Sequence, residues 1–146
     1  MKTELIIPSD TRFIYVAEQW LQATLSLELK HLDGWPQIHR RLRLALVEGY
    51  SNAVRHAHKE ESSLPIVVRL EIRQNMILLE IWDQGDGYDF SQYSAPAPQE
   101  RREGGYGWMI LSGLVDKVQY QTDHGNGSNC LRLETHFTLG STEPAS

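Results

Sequence analysis

The sequence predicts an α+β two-layer sandwich, with a mixed, mostly antiparallel sheet and about three helices on one face. Two observations carry this. Apolar residues recur at helical spacing over the first third of the chain and at period two over much of the remainder. Turn residues separate these runs, and one long polar stretch, residues 88–104, interrupts them. A chain of 146 residues is enough for one domain with a real core. That domain is expected over 1–140, with a frayed tail at 141–146.

The elements follow in order. Leu5–Ile7 make a short strand that Pro8 stops. Ser9 or Asp10 can cap the next helix, where Phe13, Val16, Ala17, Trp20, Leu21 and Thr24 share a face. Gly34-Trp35-Pro36 breaks the chain, and a second helix runs from about Pro36 to His58. Trp20 and Trp35 are read as core. Val68, Leu70 and Ile72 then alternate with Arg69, Glu71 and Arg73, the mark of a half-buried strand. Gln74-Asn75 reads as a tight turn, and Ile77, Leu79 and Ile81 complete a hairpin. Residues 88–104 hold Pro96, Pro98 and the charged run Glu100–Glu103, and read as a mobile loop. A helix is expected from Gly105 to Leu114, a strand from Val118 and Tyr120, and a turn at Asp123–Gly127. Leu131, Leu133, Thr135, Phe137 and Leu139 line one face of the last strand.

Composition narrows the function. Hydrophobic residues are 40% and charged residues 23%, as in ordinary soluble domains. A formal net charge of −5 argues against a nucleic-acid partner. Arg40, Arg41 and Arg43 form a local cluster that reads as a solvated helix end. Cys130 is the single cysteine, so no internal disulfide can form and a reducing compartment fits. Met1 to Glu4 lead into only three apolar residues, so no leader is expected, and no run reaches membrane length. The expected location is the cytoplasm.

Three motifs carry the chemistry. On a helix turning about 100° per residue, Leu42, Leu46, Tyr50, Ala53 and Ala57 form an apolar stripe. Glu48, Asn52 and His56 fall roughly opposite it, within about 80° of one another. Alone, such a triplet is a solvated helix face. Chemically, the Asn52 carbonyl suits Mg²⁺ beside phosphates, and Glu48 can take a proton as a general base. His56 with His58 is a weak zinc signal and is set aside.

The second motif is Asp83-Gln84-Gly85-Asp86-Gly87. Its glycines permit a turn and close approach of a ligand. Its carboxylate can accept a hydrogen bond from the 6-amino group of adenine, where guanine presents a carbonyl. By itself it is an ordinary Asp-Gly turn. The third is Gly104-Gly105-Tyr106-Gly107, which opens a helix whose N–H groups and dipole favour an anion. It is neither a Walker A loop nor the dinucleotide fingerprint, because Ile110 stands at the third glycine.

Together, in this order and spacing, the motifs resemble the GHKL ATPases (gyrase, Hsp90, histidine kinase, MutL). Within that family the chain is most similar to the small anti-sigma-factor serine/threonine kinases of bacterial partner-switching systems. Leu46–His56 resembles the N-box, Ile81–Gly87 the first glycine box, and Gly105–Leu111 with Val115–Val118 the second. The resemblance covers nearly the whole chain and implies the Bergerat ATP-binding fold with ATP and Mg²⁺ as cofactors. It implies that Asn52 ligates Mg²⁺, Glu48 is the base and Asp83 recognises adenine. Gly85 and Gly87 would shape the purine pocket. Gly105, Tyr106 and Gly107 would contact phosphates under a lid at 88–104, with His56 lining the site. Ser128 stands where relatives often carry a nucleotide-binding threonine.

The resemblance has one departure. The arginine expected two residues before the second glycine box is Glu103 here, which leaves Arg101 or Arg102 to steady the transferred phosphate. The implied function is phosphoryl transfer to a serine of a STAS-domain anti-sigma antagonist, with sequestration of a sigma factor or similar regulator by a homodimer. Glu103 keeps open a nucleotide-gated binding module without kinase activity, and a detached histidine-kinase catalytic domain is the third reading.

Overall fold

A computed structural model describes residues 1–57, 63–85, 107–123 and 127–138. Its strands are β1 (Lys2–Pro8), β2 (Pro65–Ile72), β3 (Met76–Asp83), β4 (Lys117–Asp123) and β5 (Ser128–His136). Its helices are α1 (Ile14–Leu29), α2 (Trp35–Asn52) and α3 (Gly107–Leu114). A 3₁₀ turn at Thr11–Phe13 precedes α1, and a π turn at Ala53–Ala57 follows α2. None of the described helices is long and apolar enough to cross a membrane.

The strands form one sheet in the order β1-β2-β3-β5-β4. All four ladders are antiparallel. The parallel component expected of a mixed sheet survives only in the connectivity. β3 and β4, joined through α3, run the same way with β5 between them. The Gln74-Asn75 turn closes the β2–β3 hairpin, where the Arg73 N–H donates to the Met76 carbonyl at 2.8 Å.

Register sorts the residues by face. One row runs Leu5–Val68–Ile81–Leu131–Tyr120, and the next runs Thr3–Leu70–Leu79–Leu133–Val118. Val68, Leu70, Leu79, Ile81, Leu131 and Leu133 are fully buried under the helices. The opposite face carries Glu4–Arg69–Glu80–Arg132, with alternating charge across four strands. Arg69 reaches Glu4 at 3.0 Å and Arg132 reaches Glu80 at 3.6 Å. Such half-exposed pairs add little stability but oppose a register slip, which would bring like charges together. Cys130 lies on this face, and burial followed by the nearby Glu80 carboxylate pushes its thiol up to about 12. At neutral pH it is a small apolar residue, not a nucleophile.

Each helix buries one face, although Val16, expected on the inward face of α1, is exposed. α1 turns Ala17, Leu21, Leu25 and Leu29 inward, and α2 turns Leu42, Ala45, Leu46 and Tyr50 inward. Trp20 and Trp35 pack against this core, as expected. Pro36 sits in the first turn of α2, where its missing N–H costs nothing. Asp10 supplies the anticipated cap by accepting the Arg12 N–H at 2.9 Å, and the first turn it caps is 3₁₀. The buried Tyr50 hydroxyl ties α2 to the β1–α1 connection. It meets the carbonyls of Pro8 and Asp10 and accepts the Asp10 N–H.

Gly49 sets how closely α2 approaches the sheet. A Cβ on Gly49 would lie 2.5 Å from Ile81 Cδ1 and 2.8 Å from Leu131 Cδ2. Only a glycine lets the helix ride this low on β3 and β5. The last turn of α2 and the adjoining end of the sheet are thereby held together, with the π turn touching β3.

Candidate functional site: the junction of α2, α3 and the β3–β5 end

The site begins at the C-terminal end of β3. Asp83 lies two residues beyond Ile81 on the same strand face and pairs with Asn129 in register. It is 2% exposed. A carboxylate so buried needs donors, and β5, β4 and the turn after β3 each contribute one. Asn129 Nδ2 donates to Asp83 Oδ1 at 2.6 Å and to the Gly85 carbonyl at 2.9 Å. The Gly85 N–H also donates to Oδ1, at 3.2 Å. The Tyr120 hydroxyl donates to Oδ2 at 3.1 Å from the edge strand β4. The Asp83-Gln84-Gly85 turn is thus folded around its own carboxylate.

The second part of the site is on α2. Glu48 and Asn52 occupy the side away from the apolar stripe and are part-exposed, while Leu42, Leu46, Tyr50 and Ala53 are buried. α3 begins against them. A Cβ on Gly107 would lie 2.9 Å from Asn52 Nδ2 and 3.0 Å from Glu48 Oε1. The N-terminus of α3 therefore faces the two polar side chains, and a helix N-terminus presents N–H groups and positive potential.

The helix expected to run to His58 is α-helical only to Asn52. Ala53–Ala57 then form a π turn, whose i→i+5 bonds widen the spiral. The regular i, i+4, i+8 alignment therefore covers Glu48 and Asn52 and does not extend to His56. The His56 backbone lies in the π turn, and its side chain lies outside the described atoms. Gly87, Arg101, Arg102, Glu103, Gly105, Tyr106 and the expected lid at 88–104 lie outside the described residues.

Sequence reading missed Asn129 and Tyr120 and chose Ser128 instead. Strand alternation puts Asn129, with Leu131 and Leu133, on the face of Asp83; Ser128, one residue earlier, has the other parity. A polar residue at an inward position next to buried leucines was the available signal.

The arrangement fits a nucleotide. It offers a buried, donor-held carboxylate, a glycine cradle that a side chain would fill, and two oxygen-bearing side chains beside a helix N-terminus. Comparison with known proteins agrees. The model of the histidine kinase-like ATPase domain matches residues 11–135. The chain belongs to this family. It is similar to the serine-protein kinase RsbW of Bacillus velezensis, at 29% identity over 130 residues, 84% of this chain and 79% of the relative. It is also similar to the serine-protein kinase RsbW of Staphylococcus aureus strain MRSA252, at 32% identity over 92 residues, spanning 57% of this chain and 58% of the relative. Among solved structures, the RsbU and RsbW domains of Rv1364c from Mycobacterium tuberculosis superpose with a TM-score of 0.66 at 16% identity. That match covers 93% of this chain and 32% of the other, and it supports the fold. GHKL-type membership and the α+β sandwich are as the motifs implied, and the relatives are named as protein kinases, the class the sequence suggested.

Proposed function

We propose that the chain is an MgATP-dependent serine/threonine protein kinase of the anti-sigma-factor type. The observation that carries this is the meeting of Gly107 with Glu48 and Asn52, which sets a helix N-terminus, a carboxylate and a side-chain amide around one space. MgATP, when bound, supplies the γ-phosphoryl group and the divalent charge that offsets its oxygens. Asp83 accepts the adenine 6-amino group, and Gly85 and Gly87 shape the purine pocket. Asn52 offers its oxygen to Mg²⁺. Among the described residues no three His, Cys, Asp or Glu side chains gather as a metal site, so such an ion would lean on phosphates and water, as Mg²⁺ does. By the resemblance, Gly105, Tyr106 and Gly107 would contact the phosphates, His56 and Ser128 would line the site's edge, and residues 88–104 would serve as its lid.

Glu48 orients the attacking serine hydroxyl and takes its proton. The new bond joins the serine oxygen to phosphorus, and the bonding pair of the broken bond leaves with ADP. Arg101 or Arg102 offsets the charge that develops, in place of the family arginine replaced by Glu103. The relatives are named serine-protein kinases, which supports a serine as the acceptor. By the resemblance to partner-switching kinases, that serine belongs to a STAS-domain antagonist, and the chain sequesters a sigma factor or similar regulator as a cytoplasmic homodimer.

The test is transfer of labelled γ-phosphate to a STAS-domain protein. Wild type labels it with acid-stable phosphoserine, while Glu48→Ala still binds ATP and loses transfer by at least about a hundredfold. Normal transfer by Glu48→Ala removes the assigned base. The presence of Glu103 favours one second reading, a nucleotide-gated binding module, which would capture its partner without labelling it. Acid-labile phosphohistidine would point to a detached histidine-kinase domain.

A further inference from the structure

We infer that Asn129 makes Asp83 a reader of a single N–H, and so sets the preference for adenine over guanine. This rests on the nucleotide site proposed above. A carboxylate alone does not choose between the two purines. Guanine offers two adjacent donors, N1–H and its 2-amino group, which fit both oxygens of one carboxylate side by side. Adenine offers N–H donors from one exocyclic amine, beside a ring acceptor.

The surroundings of Asp83 break this symmetry. Oδ1 is committed twice, to Asn129 Nδ2 at 2.6 Å and to the Gly85 N–H at 3.2 Å. Oδ2 faces the Tyr120 hydroxyl at 3.1 Å, a rotor whose proton can be redirected. Oδ1 is thereby closed to an incoming base, and the paired contact across both oxygens that guanine needs is blocked there. The amide is fixed in this role. Its Nδ2 bridges Asp83 Oδ1 and the Gly85 carbonyl, both acceptors, so the flipped rotamer would set oxygen against oxygen. Asp83 and Asn129 are 2% and 4% exposed, so water does not replace the bond readily. Tyr120 is a positioning residue here; Asn129 determines specificity by occupying an oxygen that guanine would use.

The experiment is calorimetric titration of wild type, Asn129→Ala and Tyr120→Phe with ADP and with GDP, each with Mg²⁺, with melting curves to confirm folding. Wild type is expected to prefer ADP. Asn129→Ala shrinks the ADP-to-GDP affinity ratio by about tenfold or more, the size of one hydrogen bond to a charged group. Tyr120→Phe, which leaves Oδ1 held, moves both affinities together and keeps the ratio. An Asn129→Ala protein that weakens both nucleotides equally overturns the inference. A second arm needs no variant. On wild type, N6-methyl-ADP, which keeps one N–H, binds close to ADP, whereas N6,N6-dimethyl-ADP binds about tenfold weaker or worse. Equal losses for both analogues overturn it as well. If wild type binds no adenine nucleotide, the nucleotide site and this inference fall together; ADP binding with an unaltered ratio in Asn129→Ala removes the inference alone.

Discussion

Gly107, the first residue of α3, lies so close to Asn52 that a Cβ on it would be 2.9 Å from the Asn52 amide nitrogen. Glu48 Oε1 would be 3.0 Å from the same Cβ. The crowded atoms are the far ends of two side chains, not backbone. The fold can therefore yield at small cost, but only by moving the two groups that the proposed chemistry uses.

Gly107→Ala separates folding from function for this reason. Its unfolding free energy should stay within about 1 kcal/mol of wild type, because the side chains can turn away. Its affinity for ADP with Mg²⁺ should fall by about tenfold or more, because Asn52 loses its position. Urea unfolding and calorimetry on one preparation check both. Wild-type affinity in a folded Gly107→Ala would show that the contact does not matter to the site.

Gly49→Ala should do the reverse. Its Cβ would collide with Ile81 Cδ1 at 2.5 Å and Leu131 Cδ2 at 2.8 Å, both in the packed core beneath α2. Overpacking of this kind costs about 1–3 kcal/mol, against a gain of up to about 1 kcal/mol in helix propensity. A net loss of stability in urea is expected. A more stable Gly49→Ala would show that α2 can rise off the sheet without penalty.

His39 should make stability fall on mild acidification. Burial lowers its pKa below the ordinary 6.5, the nearby Arg43 guanidinium lowers it further, and Glu18 across the α1–α2 groove opposes them. Its ring stacks on Trp35 with centroids 5.3 Å apart, and its Nε2 is buried with no hydrogen-bond partner among the described residues. A folded-state pKa below the unfolded one means that the unfolded chain protonates first as pH drops. The contribution is full above about pH 6.5 and is lost as pH falls through the folded pKa. Urea unfolding at pH 7.5 and at pH 5.5 should show wild type losing more stability than His39→Gln. Equal losses would place the pH dependence elsewhere.

The alternation of Val68, Leu70 and Ile72 with charged residues made β2 and β3 legible, as did the turn at Gln74-Asn75. The stripe Leu42–Leu46–Tyr50 gave α2 and, opposite it, Glu48 and Asn52. The stop at Asn52 was not legible. Ala53–Ala57 reads as good helix, and the π turn shows up only in three dimensions. Other features moved for local reasons: β1 is longer than Leu5–Ile7 because it pairs along its length with β2, and the inward stripe of α1 continues past Leu21 through Leu25 and Leu29. The donors to Asp83 were hidden for a different cause. Tyr120 and Asn129 sit 37 and 46 residues away in sequence, and only register brings them to one carboxylate.

Binding of ADP with Mg²⁺ to wild type and to Asp83→Asn, measured side by side by calorimetry, goes straight to the proposed site. One-site heat is expected for wild type, with affinity lower by at least about tenfold in a folded Asp83→Asn, since a buried carboxylate reading an amine has no neutral substitute. No heat with wild type, or the same affinity in both, would mean that Asp83 and its partners hold the sheet end together and read no base.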